Sequence, residues 1–224
     1  MIVAKQKPFE EIYACAQRHH KILLLGCGTC VTVCMAGGQK EVGVLASQIR
    51  LAAREHGHDI QVEEHTITRQ CDAEFFDDGT ARKVADADAV ISMGCGVGVQ
   101  FCGQHYSDKI IYPALDTKFY GATIAQGQWA ERCAGCGACI VDEFGGICPI
   151  ARCSKSLLNG PCGGSQDGRC EVDPEHVECA WQLIYERMEK MNRLEEMETV
   201  HSPKDWSRHR DGGPRTIIRE DVTL

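Results

Sequence analysis

Lys21-Ile22-Leu23-Leu24-Leu25-Gly26-Cys27-Gly28 is the stretch on which the fold turns. Five residues that are mostly apolar have the length and composition of a buried strand, and Gly-Cys-Gly ends them abruptly. Val42, Leu45, Ala46, Ile49, Ala52 and Ala53 follow at helical spacing, completing a strand, loop and helix. A second apolar run, Ala89 to Met93, also finishes in Gly94-Cys95-Gly96. Between them, Asp59 to Thr68 alternates as a strand, and Thr80 is expected to cap a short helix carrying Ala81, Val84 and Ala85. Lys109 to Leu115 reads as one further strand, and Phe9, Ile12, Tyr13 and Ala16 as an opening amphipathic helix. Strands alternating with helices predict an α/β fold with a doubly wound, mostly parallel sheet over roughly residues 20–125. Ligands of such sheets sit beyond the carboxyl ends of the strands, so Cys27 and Cys95 are expected on one binding edge.

The chain has 224 residues, of which 15 are cysteine, and a formal charge of −8. No basic cluster outweighs the carboxylates, which argues against a phosphate-driven grip on nucleic acid. The N-terminus lacks the apolar stretch of a secretory signal and no later run approaches membrane-spanning length, so a cytoplasmic location and no membrane span are expected. In a reducing compartment, cysteines at short regular spacings favour metal ligation over a disulfide scaffold.

Cys133-x2-Cys136-x2-Cys139, followed by Cys148-Pro149, is the most specific motif. Two-residue gaps let successive thiolates wrap the corners of one cubane, and the Cys-Pro ending is ferredoxin-like. Zinc knuckles more often use two separated Cys-x2-Cys pairs. Cys153, Cys162, Cys170 and Cys179 form a later group, sufficient for a second cluster or one structural zinc. The partition between these two groups stays open, because a fourth cysteine can serve the neighbouring cluster. Cys27, Cys30 and Cys34 share one loop, with Cys95 as the natural fourth ligand and Cys71 as the substitute. Cys15 reads as a small apolar residue, and Cys102 has no role assigned.

Three units are expected: 1–125, the α/β domain with a strand-edge metal site; 126–198, a cysteine-rich cluster module with a helix; and 199–224, a polar tail. From Arg132 to Cys179 apolar periodicity fades, so a bound metal centre is expected to supply stability. Asp173-Pro174 is expected to start the following helix, with Val177, Ala180, Trp181, Ile184, Met188 and Met191 as its apolar stripe. The tail past Val200 is read as mobile or laid across a partner, with Trp206, Ile217 and Ile218 as its anchors. Gly94-x-Gly96-x-Gly98 is discounted as a dinucleotide fingerprint because position 99 is Val. No Ser/His/Asp set or carboxylate pair stands out, so no catalytic residue is assigned.

The run Cys148-Pro149 through Arg152-Cys153-Ser154-Lys155-Ser156-Leu157-Leu158-Asn159-Gly160-Pro161-Cys162-Gly163-Gly164 resembles the cysteine-rich domain at the C-terminus of methylenetetrahydrofolate reductases, described in that family as zinc-binding. Cys170 to Trp181 and the Gly26-Cys27-Gly28-Thr29-Cys30 loop are similar to its free-standing form, the MetV-type subunit of anaerobic reductase complexes, so that the resemblance covers residues 20 to about 185. The resemblance implies a heteromeric oxidoreductase complex with a flavin-containing methylenetetrahydrofolate reductase subunit and a further electron-donor protein. In it, this chain would carry two or three 4Fe4S clusters, with zinc in place of one, and pass electrons to the partner's flavin. The competing expectation is a structural zinc subunit that docks onto the reductase and stabilises it without electron transfer. A third is an enzyme using an exposed thiolate at Cys71 or Cys102.

Overall fold

A computed structural model describes residues 1–219 and 221. The chain divides into two compact units, residues 1–129 and 130–224. In the first, β2 (Lys21–Cys27), β3 (Gln61–Ile67), β4 (Ala89–Ser92) and β5 (Ile110–Pro113) form a parallel sheet in the order β3-β2-β4-β5. β2 is an interior strand, which explains its unbroken apolar run. Its alternate side chains serve opposite faces. Ile22 and Leu24 pack with Val42, Leu45 and Ile49 of α3 (Gln39–His56) and with Ile12 and Tyr13 of α1 (Phe9–Ala16). Leu23 and Leu25 pack with Val84 of α4 (Asp78–Asp86), Cys102 of α5 (Gly96–His105) and Phe76. Helices therefore cover both faces, and the fold is α/β and doubly wound.

Local chemistry sets the helix ends. The Glu41 side chain accepts a hydrogen bond from Gly38 N at 3.0 Å at the start of α3, and Gly57, at φ 68°, closes its far end in the left-handed region that glycine tolerates. α4 is capped by Asp77, whose Oδ1 accepts from Thr80 N at 2.7 Å. Thr80, expected as the cap, is instead a buried residue of the first turn with its hydroxyl against His65 Nε2 at 3.0 Å. A carboxylate one turn earlier wins because it is the stronger acceptor for the free N–H groups.

The expected strand Lys109 to Leu115 is two elements. The chain bends at Ala114, where Ala114 N donates to Ser92 O and Ala114 O accepts from Lys7 N, both at 2.9 Å. β6 (Leu115–Ala125) then leaves the parallel sheet and pairs antiparallel with β1 (Ile2–Gln6), in a second sheet ordered β1-β6-β7. β7 (Gln128–Cys133) carries the chain on from the first unit.

The second unit has a small apolar core of Phe144, Cys179, Trp181, Ile184 and Met188. Its helix, α7 (Ala180–Lys190), begins after Cys179 rather than at Asp173-Pro174. Backbone bonds from Cys170 N to Val177 O (2.9 Å) and Cys179 N to Gly168 O (2.7 Å) hold the preceding segment in a hairpin-like pairing, which removes Val177 from the helix. Asp173 caps only a turn, accepting from His176 N at 3.1 Å. Met191 lies at the C-cap and is exposed.

The segment past Val200 does not lie free. Asn159 and His201 exchange two hydrogen bonds (3.0 and 2.7 Å), and Lys204 Nζ donates to Ala138 O at 2.7 Å. Ile217 and Ile218 are exposed and anchor nothing, whereas Trp206 stacks edge-on with His209. Residues 220 and 222–224 of the expected tail lie outside the described residues.

Replacing Leu24, which is fully buried between α1, α3 and the sheet, by Ala is expected to cost about 2–5 kcal/mol in urea unfolding. Leu51→Ala, on the exposed side of α3, is expected to stay within about 0.5 kcal/mol of the parent.

Candidate metal centres

Strand order reverses between β2 and β4, so the crevice at their carboxyl ends is the topological switch point of the sheet. Cys27 ends β2, and Cys95 is the N-cap of α5 directly after β4. Gly96 N donates to Thr117 Oγ1 at 2.8 Å, which fixes the Cys95 loop. Cys71 follows β3 on the other side of β2. Burial of its sulfur raises the Cys71 thiol above its ordinary value, and the charges of Cys27 and Cys95 raise it further, so both lie within electrostatic reach of Cys71.

Gln70, which sequence reasoning passed over, holds this edge together. It is fully buried. Its Nε2 donates to Leu25 O at 2.7 Å, its Oε1 accepts from Ser92 Oγ at 2.6 Å, and Ser92 Oγ in turn accepts from Gly94 N at 3.1 Å. A Cβ on Gly94 would lie 2.7 Å from Gln70 Oε1. The glycine of the second Gly-Cys-Gly is thus required by a side-chain staple beneath the loop. Nothing in the local sequence marks Gln70, because its partners come from two other strands.

The remaining thiols of the first unit differ in their surroundings. Cys30 opens the short helix α2 (Cys30–Val33) and is partly exposed. Cys34 is buried, accepts from Ala4 N at 3.4 Å, and has its sulfur 3.7 Å from the carbonyl oxygens of both Ala4 and Val31. Burial raises its thiol above the ordinary value. Cys102 is fully buried beneath α5 and pushed up to about 11 by that burial, so the expectation of an exposed reactive thiolate there is overturned.

In the second unit, Cys133, Cys136, Cys139 and Cys148 all line one cavity of about 400 Å³, together with Arg132. Gly135 and Gly137, at φ 64° and 83°, let the loop curl around it. Gly135 N donates to Cys133 Sγ at 3.3 Å. Cys153, Cys162, Cys170 and Cys179 line a separate cavity of about 20 Å³ with Arg152, Lys155 and Trp181. The Ser154 hydroxyl, 3.3 Å from Cys170 Sγ, holds the Cys170 thiol below its ordinary range. Arg152 is pushed down first by burial and then by the charge of Arg132, and its carboxylate partner Glu178 is 3.6 Å away. Two mutually repelling cations flanking two thiol-lined cavities favour anionic contents in both. Among the described residues, no three His, Cys, Asp or Glu side chains converge tightly enough to hold a single metal ion. The cysteines line their cavities without meeting at a point.

Fold and site together define a small doubly wound α/β unit followed by a cysteine-rich module whose thiols line two cavities. Residues 112–207 match the family described as "Methylene-tetrahydrofolate reductase C terminal". The match extends beyond the Cys148–Gly164 motif and includes the first residues past Val200. No curated protein and no solved structure matches the chain. Among the described residues, no helix is long and apolar enough to cross a membrane.

Gln70→Met preserves volume but strands the Leu25 carbonyl and the Ser92 hydroxyl. It is expected to cost about 1–3 kcal/mol in denaturant unfolding, a loss that Gln70→Glu recovers only in part because Glu replaces the donor with an acceptor.

Proposed function

We propose that the chain is the iron-sulfur electron-transfer subunit of a methylenetetrahydrofolate reductase complex, delivering electrons to the flavin of a partner subunit that forms methyltetrahydrofolate. The observation that carries this reading is the gathering of Cys133, Cys136, Cys139 and Cys148 round one cavity, within the segment that matches the reductase family. A 4Fe4S cluster held there supplies one-electron transfer, and the partner's flavin would pair single electrons into a hydride equivalent. Arg132 offsets the negative charge of the four thiolates, and the backbone N–H of Gly135 donates to the Cys133 sulfur, a contact of the kind that sets cluster potential. Residues 204–208 touch the loop, with Lys204 Nζ donating to Ala138 O at 2.7 Å and the Arg208 carbonyl close against Gly137.

Zinc is the second reading for Cys153, Cys162, Cys170 and Cys179. Their cavity of about 20 Å³ has room for roughly one water-sized sphere, which suits a single small ion better than a cubane. The strand edge with Cys27 and Cys95 is read as a second cluster site. An anaerobically purified chain is then expected to carry about eight irons, a matching amount of acid-labile sulfide, and about one zinc. Cys136→Ser is expected to remove about four irons and to abolish reduction of the partner's flavin in the reconstituted complex. A colourless, folded chain carrying zinc alone would establish the docking-subunit reading instead.

A further inference from the structure

Besides Cys15 and Cys102, the first unit holds five thiols, one more than a four-ligand centre requires, and the five differ in what surrounds them. We propose that the strand-edge centre is ligated by Cys27, Cys30, Cys71 and Cys95, and that Cys34, although it shares a loop with Cys27 and Cys30, is a structural thiol outside it. The inference rests on the iron-sulfur reading above and goes beyond it by naming the ligand set.

Cys34 is already engaged. Its sulfur takes the Ala4 N–H at 3.4 Å and points its own proton at backbone carbonyls 3.7 Å away, Ala4 O and Val31 O. A ligand must give up that proton, and the resulting thiolate would face two carbonyl dipoles in a site from which water is excluded. Cys34 lies in one buried cluster with Val3, Ala4, Cys27, Val31, Ala36 and Leu115, where it packs the Cys27–Cys34 loop against β1. Its sequence spacing therefore serves packing.

Cys71 has the opposite character. It is exposed and follows directly after Gln70, whose amide is bonded to the ends of both β2 and β4. Strands β3, β2 and β4 are neighbours in the sheet, and each delivers one cysteine beyond its carboxyl end: Cys71, Cys27 and Cys95. Cys30, partly exposed at the first position of α2, completes four. Trp129 packs against the group that contains Cys27 and Cys95, and its buried indole N–H has no acceptor among the described residues. A sulfur-rich anionic group at this edge would offer that missing acceptor.

Iron, acid-labile sulfide and the EPR spectrum of the dithionite-reduced protein, measured on the full chain purified anaerobically, decide the matter. Cys27→Ser and Cys71→Ser are expected each to lose about four irons with their sulfide and one EPR signal. Cys34→Ser, whose hydroxyl can keep the bonds to Ala4 and Val31, is expected to retain the full complement at an unchanged thermal midpoint. Retention of iron by Cys71→Ser, or its loss from a folded Cys34→Ser, overturns the assignment. Cys71 is exposed, so its arm decides even where Cys34→Ser fails to fold. Iron in the parent that Cys27→Ser leaves untouched overturns this ligand set alone, whereas a parent without iron sinks the electron-transfer reading itself.

Discussion

The buried amide of Gln70 ties together the ends of the central strands, at the edge where Cys27, Cys71 and Cys95 lie. Parallel strands stop where their ladder partners stop, and beyond that point the loops depend on further bonds to hold them in place. Gln70 does this with one donor and one acceptor, reaching Leu25 O in β2 and, through the Ser92 hydroxyl, the amide of Gly94 past β4. In a low-dielectric setting such a network is stable only when each member is satisfied. It therefore fixes one geometry: Gly94 and Gly98 must lack side chains where they press on Gln70, the residue directly before Cys71. The Gly-Cys-Gly repeat is the visible sign of a constraint imposed from beneath.

The second unit solves a different problem. Its apolar core amounts to a few residues around Trp181 and Met188, and the stretch between β7 and α7 has little regular structure beyond the four-residue helix α6 (Pro149–Arg152). Conformational entropy over such a stretch is not repaid by that core alone. Left-handed glycines at 135, 137, 145, 146, 160, 163 and 168 allow tight turns at little steric cost. The same turns bring two sets of four thiols to the walls of two cavities. Arg132 and Arg152 carry positive charge to these walls in a chain whose overall charge is −8, a placement that thiolate centres would favour and empty space would not.

How much of this was legible in the sequence depends on where each determinant lies. The β2 run and the α3 stripe were readable because burial on two faces or on one leaves a local apolar pattern. The strand pair β1 and β6 was not, since β6 is largely exposed and its pairing is fixed by residues more than a hundred positions away. Asp77 and Thr80 both had capping chemistry, and only the backbone trace decides which one precedes the first turn. The start of α7 was misplaced because Asp173-Pro174 is a sound local signal overridden by pairing to Gly168 and Cys170. Among the cysteines, spacing drew attention to the groups, but the difference between Cys34 and Cys71 lies in contacts made through space with Ala4, Val31 and Gln70.

Gly137 is pressed so closely by the Arg208 carbonyl that an added Cβ would lie 2.2 Å from its oxygen, while Lys204 reaches the neighbouring Ala138 carbonyl. The ribosome releases the Cys133–Cys139 loop well before it adds Lys204 and Arg208. During that interval the loop lacks the contacts that the later segment supplies. The contact that closes on this loop is thus made by a segment about seventy residues later in the chain, so the loop's final surroundings depend on residues its own motif does not contain.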